Sequence, residues 1–265
     1  MTYIPFQSIL LAIRTTYSII DYIFNMKLSY MCWSENISLT FTVIGAAAAA
    51  YSYRYVDRLW ALSIFYFTIM QLIHYISYLV INECDNLVNV AMAYINYVHV
   101  AFQPFFYLLG LYGLFKTYKT INKDQLNSLR YFIYISIFFG VFYAARLFPI
   151  QGSLKTTKGS LKTTGCTWCG PPCAVSGKKH VDLSVPLRLR PYYFTPGIFS
   201  HFFLIFIPPL LYNTTTRIVS LFMLVSASAP AMLYDLSPSE SGTTWCGISI
   251  AQLIILMIIV IYYKK

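Results

Sequence analysis

Seven stretches of this chain are each about as long and as apolar as a bilayer-crossing helix, and that pattern leaves few folds open. They are Ile37–Tyr53, Leu59–Ile81, Leu87–Phe115, Tyr131–Ile150, Tyr193–Leu211, Ile218–Tyr234 and Cys246–Tyr263. A hydrocarbon core about 30 Å thick takes about 20 helical residues. The runs are continuously apolar rather than alternating, which favours helices over a barrel. Only 11% of the 265 residues are charged and the mean hydropathy is +0.60. A soluble domain carries about 25% charged residues, so lipid is the expected solvent for much of this surface. The fold class expected is all-α, a polytopic membrane bundle of seven transmembrane helices spanning residues 32–265. Residues 1–31 form a separate N-terminal segment, read as an interfacial amphipathic helix or a dispensable stretch, because Arg14 and Asp21 interrupt its apolar residues. The third run is overlong and contains Pro104, so it should kink or overrun the bilayer.

The formal net charge is +10, with basic residues in short runs between apolar stretches. That arrangement suits loop and headgroup contacts, so the expected partner is the lipid bilayer and not nucleic acid. The expected localisation is a membrane; plasma, endoplasmic reticulum and virion membranes all fit. Alternating connections give an orientation. Arg54–Arg58, Lys116–Arg130, Asn213–Arg217 and Lys264–Lys265 hold nine Lys/Arg and two acids. The opposite short loops, Asn82–Asn86 and Asp235–Trp245, hold four acids and no Lys/Arg. The positive-inside rule then puts the N-terminus outside and the C-terminus in the cytosol. The long outer loop Gln151–Tyr192 opposes this with seven Lys/Arg. It also carries a tandem repeat, Gly152-Ser-Leu-Lys-Thr-Thr-Lys and Gly159-Ser-Leu-Lys-Thr-Thr-Gly, to which no chemistry is assigned.

All six cysteines, Cys32, Cys84, Cys166, Cys169, Cys173 and Cys246, fall on the outer side. An even count on an oxidising face points to disulfides that pin the long loop over the helix ends, with 15 connectivities open. The competing reading is metal: Cys166-x-x-Cys169-x-x-x-Cys173 with His180 offers three thiolates and an imidazole. Trp33, Trp168 and Trp245 each adjoin a cysteine; an aromatic belt explains Trp33 and Trp245, and a packed cap over the bridges is the alternative.

Polar residues recur inside the runs. Asn89, Asn96, His99 and Gln103 share one face of the third; Gln71, His74, Tyr78 and Asn82 share one face of the second. The fifth carries Ser200 and His201, and the seventh Ser249 and Gln252. Interhelical hydrogen bonds are the ordinary role of such groups, at about 0.6 kcal/mol each. Ionisable groups in a bilayer also mark ligand, ion or proton paths. The pocket expected is lined by Gln71, His74, Asn96, His99, Gln103 and His201, beneath a cysteine-stabilised loop. No run contains an acid or a phosphate-cradling loop, and no Ser/His/Asp motif appears.

Several short motifs occur in a fixed order: Met31-Cys-Trp-Ser-Glu-Asn-Ile-Ser38, His99-x-x-x-Gln103-Pro104, Gly170-Pro-Pro-Cys173-x-x-x-Gly177-x-x-His180, His201 before Pro208-Pro209, and Glu240-Ser-Gly-Thr-Thr-Trp245-Cys246. In that order they resemble an uncharacterised multi-pass membrane family of microbes and large viruses. That resemblance implies a topology and candidate positions, and no activity. Cys32-Trp-Ser-Glu-Asn36 is also similar to the N-terminal segment of alkaline ceramidases, which are seven-helix zinc amidohydrolases. The seventh run, however, lacks the His-x-x-x-His pair that holds zinc there. The function favoured is non-enzymatic, in transport, sensing or assembly, with no cofactor required. The alternative is a membrane metal hydrolase or oxidoreductase in which His99, His180 and His201 hold zinc and its bound water attacks.

Overall fold

The computed structural model describes residues 34–147, 172–178, 180–185, 198–234 and 238–263. The segment 1–31, Cys32, Trp33, the tandem repeat, Cys166, Trp168 and Cys169 lie outside them. Seven helices appear among the described residues: α1 Glu35–Tyr55, α2 Arg58–Leu79, α3 Leu87–Tyr118, α4 Lys123–Ala145, α5 Ile198–Leu210, α6 Thr214–Tyr234 and α7 Pro238–Tyr263. Each overlaps one apolar run. Three of them, α2, α3 and α4, are long and apolar enough to cross a membrane. The fold is mostly helical, with one addition: an antiparallel hairpin of β1 Cys173–Ser176 and β2 Val181–Ser184.

Helix boundaries follow capping more than hydropathy. Asp57 Oδ1 accepts from the backbone of Leu59 (2.8 Å) and Trp60 (3.0 Å), which starts α2. A capping box, Asn122 with Gln125, starts α4 eight residues ahead of its apolar run. Lys119, left-handed at φ 51°, closes α3. That helix runs unbroken through Pro104 for 32 residues, about 48 Å, so it is longer than a bilayer core is thick and does not stop at the proline.

Sequential helices pack side by side, and α7 returns to touch α1, α2 and α3. The central helix is α3, which meets α2, α4, α5, α7 and β1. Small residues permit the close approaches. A β-carbon on Gly110 would come within 2.5 Å of Ser63 Cβ, and one on Gly45 would strike Thr68. Cross-links sort the connections into two ends. Thr117 donates to Asp57 Oδ2 (2.8 Å) and Asn213 donates to the Thr120 carbonyl (2.6 Å), so the α1–α2, α3–α4 and α5–α6 connections share one end. The α2–α3 loop and the hairpin lie at the other.

Candidate functional site

The hairpin is a plug seated where α2 ends and α3 begins. Its Ala174, Val181, Leu183 and Val185 are buried against Tyr78, Ala93 and Tyr97. Three devices hold it. A disulfide joins Cys84 to Cys173 across 89 residues of sequence. Asn89 reads the β1 backbone like a neighbouring strand: Ala174 N–H donates to its Oδ1 (2.8 Å), and its Nδ2 donates to the carbonyls of Ala174 (2.9 Å) and Val80 (2.7 Å). Asn82, left-handed at φ 67°, receives the Ser176 N–H (2.9 Å) and donates to Ser176 Oγ (2.9 Å).

A four-residue turn closes the hairpin, with Gly177 N–H on the His180 carbonyl at 2.8 Å. It drives His180 into the bundle. The Nδ1 of this ring lies 2.9 Å from Tyr78 Oη and accepts the Val181 N–H, which places its proton on Nε2. Burial, and secondarily the neighbouring His74 imidazole, hold His180 well below the ordinary histidine range. The two rings meet edge to face at 4.7 Å.

Below that contact lies a cluster of polar groups from three helices. Cys246 organises it: Gln71 Nε2 donates to its carbonyl (2.7 Å), Gln103 Nε2 to its thiol (3.0 Å) and Ser249 Oγ to its carbonyl (2.6 Å). His99 Nε2 donates to the Tyr66 carbonyl (2.8 Å), and Tyr66 Oη returns a bond to the His99 carbonyl (2.6 Å). Many polar atoms remain unmatched although buried. Gln71 Oε1, Gln103 Oε1, His99 Nδ1, both ring nitrogens of His74 and both amide atoms of Asn96 have no hydrogen-bond partner among the described residues. His74 and Asn96 are 0% exposed.

The six expected pocket residues therefore divide. Gln71, His74, Asn96, His99 and Gln103 line the bundle interior of α2 and α3. His201, on α5, instead meets Trp245 edge-on (6.4 Å) and lines a separate small cavity with Pro104, Ser136 and Tyr143. Trp245 is no belt residue: it is buried, and its Nε1 donates to Gln252 Oε1 (3.0 Å). Two further expectations are corrected. No group of three or more His, Cys, Asp or Glu side chains that could hold a metal ion occurs among the described residues, so His99, His180 and His201 do not assemble as a ligand set. Nor does Cys246 form a disulfide; its thiol is free and buried. The reason is the start of α7, which begins at Pro238 and puts Cys246 about 12 Å inside the helix instead of at its mouth.

Tyr66, Tyr78, Asn89 and Cys246 belong to the site beyond the six residues the sequence singles out. Helical phase had already put Tyr78 and Asn89 on the polar faces. The hairpin those two grip carries little signal of its own: Val181–Ser184 alternates in burial, but Cys173–Ser176 does not.

Residues 36–265 match a family of unknown function (DUF5765), and the chain belongs to that family. No curated protein and no solved structure matches it.

Proposed function

We propose that this member of the family is a seven-span membrane protein, N-terminus outside and C-terminus in the cytosol, whose interior polar cluster is a ligand site serving transport or sensing. The observation that carries the reading is the set of unmatched buried atoms on Gln71, His74, Asn96, His99 and Gln103. An unmatched buried polar group costs about 1–3 kcal/mol. Native proteins rarely keep several together for structure alone. A site that must receive a polar ligand keeps them because the ligand supplies their partners. The cluster is neutral, with no Asp, Glu, Lys or Arg in it, which favours an uncharged ligand. The plug closes one end. The short basic connections gather at the other end, which supports a cytosolic face there.

Thermal denaturation of Asn96→Leu and His74→Phe in detergent tests the reading. Groups kept for a ligand should be removable without loss, so both melting temperatures should hold or rise. A fall in both, equivalent to about 1 kcal/mol or more, would make them interhelical ties and overturn the proposal.

A further inference from the structure

The cluster has a neighbour that opens outward. A groove of about 430 Å³ runs between α2 and α3, walled by Ile73, Tyr94, Val98 and Phe102 and by a row of stacked rings, Phe106 on Tyr66 (3.8 Å) and Tyr66 on His99 (3.9 Å). Ile95 and Val98 at its rim are 46% and 37% exposed. The groove is apolar except where His99 enters it. His99 is thus common to both features: its ring lines the groove, and its Nδ1 is one of the cluster's unmatched atoms.

We propose that the ligand of the cluster is an uncharged membrane lipid with a hydroxyl head, entering sideways with its apolar body in the α2–α3 groove and its hydroxyl on His99. The inference rests on reading the cluster as a ligand site. Three observations specify the ligand. The groove faces outward among exposed apolar side chains, so what fills it comes from the hydrocarbon. The His99 tautomer fixes the head. Because Nε2 faces the Tyr66 carbonyl at 2.8 Å and a carbonyl can only accept, Nε2 carries the proton and Nδ1 offers a lone pair. The missing partner must donate. Gln71 Oε1 and Gln103 Oε1 add acceptors deeper in, so a donor head is favoured over an ester or ether. Finally, no charged side chain among the described residues lines either feature, so a phosphate or ammonium head would lack a counter-charge in a low dielectric.

Photolabelling in nanodiscs tests this with a sixteen-carbon alcohol carrying a chain-terminal diazirine, its methyl ether, and a diazirine phosphatidylcholine. The alcohol should label α2 and α3 residues of the groove about fivefold more than the ether or the phosphatidylcholine, the factor one hydrogen bond supplies. Val98→Trp, at a rim position with room to fold, should abolish that labelling. His99→Phe should erase the preference for alcohol over ether while some labelling remains. Unlabelled hexadecanol and an unlabelled sterol serve as competitors; suppression by either supports the proposal and says which body the groove prefers. Equal labelling by all three probes marks ordinary boundary lipid and overturns it, as does labelling unchanged by Val98→Trp or suppressed by neither competitor. These outcomes are independent of the Asn96→Leu and His74→Phe melting experiment. Failure here with success there leaves a ligand site for another molecule.

Discussion

Asn89 and Asn96 lie two turns apart on one helix face and do opposite work. Asn89 is saturated, with three backbone contacts that pin β1. Asn96 has none. Asn89→Leu should therefore cost roughly 2–3 kcal/mol in thermal or denaturant unfolding, because it strands the Ala174 N–H and C=O as well as losing its own bonds; Asn96→Leu should cost nothing. Sequence puts both on a polar stripe and cannot separate them, since the partner of Asn89 comes from a hairpin 85 residues away. His180 gives a pH dependence. Its folded-state proton affinity is depressed by burial and by His74, while an unfolded histidine titrates near about 6.5. Stability from the neutral ring is full above about pH 6.5 and is lost as pH falls below it, because only the unfolded form takes up the proton. Amide protection in the hairpin, taken relative to the intrinsic exchange rate at each pH, should fall as pH drops from about 7.5 to 5.5, and His180→Gln should remove that fall.

At the scale of elements, the plug is held from outside by a covalent bond and from inside by side chains. Replacing Cys84 and Cys173 together by serine removes a crosslink spanning 89 residues and should cost about 2–4 kcal/mol. Proteolysis within 172–185 should rise while the helices stay protected. At the opposite end of α2, Gly110→Leu should lower stability by roughly 1–3 kcal/mol, read as a fall in melting temperature, because Ser63 and Trp60 already fill the space. The helices themselves were legible because continuous apolar runs have no other fold. Their boundaries were less so. Caps such as Asn122 and helix starts such as Pro238 are set by backbone hydrogen bonds that hydropathy does not register, and the misplaced start of α7 is what made Cys246 look like a surface thiol. The hairpin was legible only as a loop tethered by cysteines, since four-residue strands carry too little alternation to stand out.

For the whole molecule, the two ends are chemically distinct. Asp57, Thr117, Thr120 and Asn213 knit one end, near the basic connections; the disulfide and the paired asparagines seal the other. Between them α3 touches most of the other elements, so polar groups on its inner face converge with those of α2 and α7. Such convergence is a property of packing order, which periodicity along a single chain does not encode. That is why His201 looked like a pocket member and Cys246 did not. A disulfide-pinned hairpin closes a polar interior in which Cys246 lies. With Cys32, Cys166 and Cys169 replaced by serine, the labelling rate of Cys246 by N-ethylmaleimide in the membrane measures that closure. The oxidised protein should label slowly, and reducing Cys84–Cys173 should raise the rate by about tenfold or more as the plug opens. Equal rates before and after reduction would contradict the claim.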